Sequence, residues 1–196
     1  MPATATRTEY YRDQQVWRDL QQFLPEAYRL DLGYGLTQVR PGFIQAYDDW
    51  VELTAAFISH ERATDSRPFV LYGLSAGGML TYHVAATMPR GSLAGIVGMT
   101  FLDQRSQQVP VRFLDRYLHY APAIEPEDFD ACPVLLTQPA ADRWSPHHMS
   151  VPFLSRITKV PVTTVMLENV GHYPLEEPGL TQMRDAIAEF TTKLAS

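Results

Sequence analysis

Apolar and polar positions alternate in two distinct rhythms along this chain. Val16, Trp17, Leu20, Phe23 and Leu24 recur at helical spacing and predict an amphipathic helix over about 10–24, ended by Pro25. Tyr47, Trp50, Val51, Thr54, Ala55 and Ile58 predict a second helix. Small residues over 76–88 predict a third, and Leu180, Met183, Ile187, Phe190 and Leu194 place one face on a last helix. Between these lie short, nearly continuous apolar runs at 28–32, 69–72, 93–101, 133–137 and 162–167, which read as strands. Residues 110–120 and 147–157 read as further helical segments, the latter with Pro146 near its start.

Strands that alternate with helices and are apolar throughout belong in a parallel sheet covered on both faces. The expected fold class is therefore α/β: a mostly parallel sheet of about five strands with helices on both faces, built as one domain over 1–196. The 196 residues and 45% hydrophobic content suffice for one core. No internal repeat or low-complexity segment interrupts the pattern. The acidic stretch 125–130 reads as a solvated loop.

A formal charge of −6 with no basic patch excludes the usual nucleic-acid footprint. No apolar run approaches the length of a membrane span. The first thirteen residues carry no apolar core of a secretory signal, so a cytoplasmic location is expected. Cys132 is the only cysteine, which suits a reducing compartment. It opens an apolar strand and reads as a small core residue.

Candidate chemistry concentrates at Gly73-Leu74-Ser75-Ala76-Gly77, which sits between a predicted strand and a predicted helix. A G-x-S-x-G turn in that setting is a nucleophile elbow, holding the serine hydroxyl above the sheet edge near a helix N-terminus. Glycines, or other very small residues, are expected on both sides of the serine because strand and helix backbones pass close together. A serine hydroxyl needs a base, and the base an orienting carboxylate. In open α/β sheets such groups gather beyond the carboxyl ends of strands. Asp142 follows the strand at 133–137, and His172 follows the strand at 162–167. Ser75 is expected to attack an acyl carbon, with His172 as base and Asp142 as its acid. Asp103, after the strand at 93–101, is the fallback acid. His83 reads as structural. His147 and His148 are adjacent and make a poor metal pair, and no convergent metal ligands are visible. Trp144, Tyr173, Met149 and Phe153 either line an acyl pocket or belong to the core.

Taken together, these motifs resemble the α/β-hydrolase family. Asp31-Leu32-Gly33-Tyr34-Gly35 is similar to the turn after its fourth strand, and 73–77 to its elbow. The loop around Asp142 with Pro146, and Gly171-His172-Tyr173-Pro174-Leu175-Glu176-Glu177-Pro178, resemble its acid and histidine loops. The resemblance implies hydrolysis of a small-molecule ester or related acyl bond, with no cofactor. Serine at the elbow argues against the dehalogenase and epoxide-hydrolase types, which carry Asp there.

Two departures set further expectations. The family's first three strands are not readable before Tyr10, and with them goes the loop that carries one oxyanion donor, which leaves the Ala76 N–H as the one identifiable donor. The stretch 104–131 is short and reads as the remnant of a cap. The chain thus resembles a reduced hydrolase. The alternative to an active esterase is a catalytically impaired or binding protein, or a fragment. An unfilled or exposed sheet edge would promote a homo-oligomer.

Overall fold

The computed structural model describes residues 47–103 and 120–195. The expected helix at 10–24, the strand at 28–32, the turn at 31–35 and the helix at 110–120 lie wholly or almost wholly outside them.

The first described element is helix α1, Tyr47–Arg62, which buries Tyr47, Val51, Thr54 and Ile58 at i, i+4, i+7 and i+11. Asp48 and Asp49 in its first turn and His60 and Arg62 in its last suit the helix dipole. Strand β1, Val70–Gly73, leads through the serine turn into helix α2, Ala76–Thr87. Strand β2 is Gly95–Gly98, β3 is Val134–Pro139 and β4 is Val162–Leu167. Helix α4, Gly179–Leu194, closes the described chain, and a short helix α3, Val151–Leu154, precedes β4.

The sheet runs β1-β2-β3-β4 in chain order, with all three pairings parallel. β2 and β3 are buried at every position, as parallel strands covered on both faces must be. Their side chains divide by the two-residue period of a strand. Ile96, Val134 and Leu136 join the core beneath α1 and α2, with Met79, Tyr82 and Val84. Val97 and Leu135 face the other way and pack with Met183 and Ile187 of α4. Helices therefore cover both faces. β4 is one edge of the described sheet, and Thr163, Thr164 and Met166 on it are exposed.

The region expected to be one helix over 147–157 is divided. A 3-10 turn, His147–Met149, is followed by the single turn of α3. Pro152 cannot donate an intrahelical bond, and the Ser150 hydroxyl is drawn away to accept from the Phe101 N–H at 3.1 Å.

The acidic loop is held by cations. Arg156 pairs with Glu125 at 3.0 Å and Glu127 at 2.6 Å, Lys159 with Asp128 at 2.6 Å and Arg90 with Asp130 at 3.1 Å. A 3-10 turn, Pro126–Asp128, forms within it. The part of the expected cap remnant that is described, 120–131, seats Phe129 fully in the core, where its ring lies 4.7 Å from that of Tyr82. Cys132 is buried in the same core, and burial pushes its thiol up to about 12. His83 is buried too, with its ring edge-on to Tyr47, Tyr82 and Tyr120. Among the described residues, no helix is long and apolar enough to cross a membrane.

Candidate active site

Each of the four parallel strands is followed, past its carboxyl end, by at least one side chain of the site. Ser75 follows β1, Thr100 follows β2, Asp142 and Ser145 follow β3, and His172 follows β4. A parallel sheet points all of these ends the same way, which is why residues up to 97 positions apart meet.

Ser75 sits at φ 54°, ψ −120°, a left-handed geometry that costs a non-glycine residue roughly 1–3 kcal/mol. It occupies the N-cap position of α2, yet its side chain makes no cap hydrogen bond. The hydroxyl is turned instead to His172 Nε2, at 2.9 Å. The turn is tight because the strand and helix backbones nearly touch. A Cβ on Gly73 would lie 2.0 Å from the Gly77 carbonyl oxygen. The second close approach is one residue later than the motif suggests. A Cβ on Gly78 would lie 1.9 Å from the Thr100 carbonyl oxygen, whereas one on Gly77 would meet nothing within 4 Å among the described residues. The crowding expected on the helix side of the serine thus falls at Gly78, against the Thr100 backbone, rather than at Gly77.

Backbone bonds at the start of α2 leave one donor over. Gly77 N–H donates to Leu74 O at 2.9 Å and Gly78 N–H to Ser75 O at 2.8 Å. No described carbonyl accepts from the Ala76 N–H, and Ala76 is exposed beside the Ser75 hydroxyl.

The acid and histidine loops are tied to each other. Ala140 N–H donates to Leu167 O at 2.8 Å and Ala141 N–H to Val170 O at 3.0 Å. Asn169 takes φ 57° in the histidine loop, a conformation that asparagine tolerates better than most residues. His172 Nδ1 lies 2.9 Å from Asp142 Oδ2. With Nδ1–H donated to the carboxylate, Nε2 is the acceptor that faces Ser75. The Asp142 side chain is wholly buried and that of His172 is 9% exposed.

Asp142 receives four donors. Oδ1 accepts from Trp144 N–H at 2.8 Å and Ser145 N–H at 3.0 Å, and Oδ2 accepts from Ser145 Oγ at 3.0 Å and from His172. Burial by itself would raise this carboxyl. The Ser145 N–H, His172 and the Trp144 N–H outweigh it, and Asp142 stays below the usual carboxylate range.

Two residues of this network had no place in the sequence reading. Thr100 Oγ1 lies 3.2 Å from Ser145 Oγ, and both residues are buried. Ser145 Oγ also lies 3.4 Å from His172 Nδ1, and its carbonyl accepts from Gln138 Nε2 at 3.1 Å. The local signal for Ser145 was its spacing: an Asp followed three residues later by Ser is a turn in which side chain and backbone bond each other.

Asp103, the fallback acid, pairs with Arg156 at 3.8 Å, while Asp142 is the carboxylate at His172. Of the four residues considered for an acyl pocket, Phe153 is core, edge-on to Tyr82 at 4.9 Å. Trp144 and Tyr173 flank His172, with ring centroids 4.8 Å and 5.3 Å from the imidazole. Met149 is half-buried. Among the described residues no group of three or more His, Cys, Asp and Glu is arranged to hold a metal ion.

No family model matches this sequence, and no curated protein does. Solved structures do. The structure of DcsB complexed with its substrate analogue superposes with a TM-score of 0.65 at 15% identity, over 94% of this chain and 87% of that one. Est1E from Butyrivibrio proteoclasticus gives 0.56 at 20% identity, over 76% and 71%. A puromycin hydrolase gives 0.58 at 19% identity over 74% of this chain, which spans only 25% of the length of that protein. With the four-strand parallel sheet and its helices, these matches define the class: the chain has the α/β-hydrolase fold.

Proposed function

We propose that this protein is a serine hydrolase that cleaves a carboxylic ester or related acyl bond. The observation that carries the reading is the unbroken chain from Ser75 Oγ to His172 Nε2 at 2.9 Å and from His172 Nδ1 to Asp142 Oδ2 at 2.9 Å. Nucleophile, base and orienting acid each need one such contact, and the serine is held at the strained apex that an elbow requires.

In this reading His172 Nε2 takes the Ser75 proton as Oγ bonds to the acyl carbon. The carbonyl oxygen becomes negative near the Ala76 N–H, which donates to it. The bond to the leaving oxygen then breaks, and His172 returns the proton to that oxygen. Water repeats the sequence on the acyl-serine and regenerates the hydroxyl. Asp142 keeps Nδ1 protonated and stabilises the imidazolium between the two proton transfers. The folds of Est1E and of the puromycin hydrolase support a hydrolytic role without specifying the bond cleaved.

The test is hydrolysis of p-nitrophenyl acetate by the wild-type protein and by Ser75→Ala, with fluorophosphonate labelling of both. Turnover and labelling that vanish together in the variant are the expected result. A folded wild-type protein that neither turns over nor labels would overturn the reading in favour of a binding role for the same fold.

A further inference from the structure

Trp144 is 63% exposed, the most exposed large apolar side chain among the described residues. A single exposed apolar side chain is ordinary on a protein surface; this one matters for its place beside the His172 imidazole. This ring packs against the histidine loop. Its backbone N–H is bound to Asp142 Oδ1 at 2.8 Å, fixing the loop beneath it. One region of the indole lies on the imidazole of His172, with centroids 4.8 Å apart and planes at 35°. Tyr173 meets it edge-on at 6.3 Å and 78°. An indole has few rotatable bonds, so an aromatic surface left open to solvent beside a base loses little freedom when it takes a flat partner.

The position of His172 says which part of a substrate would meet it. On the hydrolase reading above, which this inference depends on, His172 Nε2 hands its proton to the leaving oxygen. That oxygen must come within hydrogen-bond reach of Nε2. The acyl group lies on the other side, with Ser75 and the Ala76 N–H. A group attached to that oxygen is held beside the imidazole, and the Trp144 ring packs against that imidazole with centroids 4.8 Å apart.

We propose that Trp144 is the specificity-determining platform of the leaving-group side, and that this site selects esters of alcohols bearing a planar aromatic or conjugated group over esters of saturated alcohols. Aliphatic rings of equal size fill the same space but do not stack on the indole as well. An aromatic pair contributes roughly three- to tenfold beyond simple burial.

The test compares benzyl acetate with cyclohexylmethyl acetate, two esters of primary alcohols with the same acyl group and similar bulk. In the wild-type protein kcat/KM is expected to favour the benzyl ester. Trp144→Ala and Trp144→Leu are expected to reduce that preference roughly three- to tenfold, and Trp144→Phe to keep most of it. The leucine variant restores apolar cover without an aromatic face, so it separates stacking from burial. An equal fall for both esters would overturn the proposal and assign Trp144 to holding His172. Unchanged rates for both esters would overturn it outright.

A second measurement needs no turnover. The Trp144 indole N–H resonance, assigned by its loss in Trp144→Phe, is followed in 15N-labelled Ser75→Ala protein. Benzyl alcohol is expected to shift it saturably and cyclohexylmethanol to leave it in place. Equal shifts from both, or none from either, refute the platform. If esters are not hydrolysed but benzyl alcohol still shifts the signal, the platform stands and the hydrolase reading is the one that fails.

Discussion

Replacing Ser145 with alanine would remove one buried hydroxyl from the centre of the site. That oxygen lies 3.0 Å from Asp142 Oδ2, 3.2 Å from Thr100 Oγ1 and 3.4 Å from His172 Nδ1. Its proton goes to the carboxylate, so Thr100 must donate to it. A hydrogen bond to a charged group is worth roughly 1.5–3 kcal/mol. The alanine also leaves the Thr100 hydroxyl buried without its partner, at roughly 1 kcal/mol or more. The two Asp142 Oδ1 bonds are to backbone N–H groups and survive the change. The expected loss is therefore about 2–4 kcal/mol, read as a fall in the urea midpoint at unchanged m. Thr100→Val removes only the outer hydroxyl and is expected to cost less, about 1 kcal/mol. In a double-mutant cycle the two changes are expected to be strongly non-additive, because each destroys the same contact. The kinetic signature follows from position. Ser145 has no hydrogen bond to Ser75, so on the proposed hydrolase reading Ser145→Ala is expected to lower kcat more than it raises KM, with Ser145→Thr restoring part of it. A loss below about 0.5 kcal/mol, or strictly additive effects of the two variants, would refute the claim that these hydroxyls hold the acid.

The glycines of the elbow separate by contact: Gly73→Ala and Gly78→Ala are each expected to destabilise by about 3 kcal/mol because the new methyl meets a backbone oxygen, whereas Gly77→Ala is expected to stabilise by roughly 0.5 kcal/mol, all read from thermal or urea unfolding. Asp142 is held below its ordinary value in the folded state, so it contributes stability that is full above about pH 4 and is lost as pH falls through its folded value; the stability gap between wild type and Asp142→Asn is expected to narrow as urea midpoints are followed from pH 7 to pH 3, and a constant gap would contradict the assignment. The Cys132 thiol is raised to about 12 by burial, so the unfolded chain ionises first; stability is expected to fall above about pH 9 in the wild type and less steeply in Cys132→Ala, and iodoacetamide is expected to label the thiol only after unfolding.

What the sequence made legible, and what it did not, follows from how far each role reaches. β2 and β3 were readable because every residue in them is buried, which needs only a run of apolar side chains. α1 was readable because its buried positions keep the helical period. Ser75, Asp142 and His172 were singled out because each lies just past a strand, and a parallel sheet brings such positions together without further information. Ser145 was passed over because its main partners combine a local turn with Thr100, 45 residues away, and nothing local marks Thr100. Gly78 was passed over for the same reason. Its need for glycine comes from the Thr100 carbonyl, not from the elbow motif, which ends one residue earlier. These two omissions are one feature. From Ser75 the chain of contacts runs through His172 and Asp142 to Ser145 and Thr100. The Thr100 backbone then presses against Gly78, three residues after Ser75 in the same helix. The contacts close on themselves, so the seating of α2 against the end of β2 and the alignment of Asp142 with His172 are not independent. A side chain added at Gly78 would act on the Ser75–His172 distance from both directions: by lifting the helix that carries the serine, and by displacing the threonine that steadies the acid.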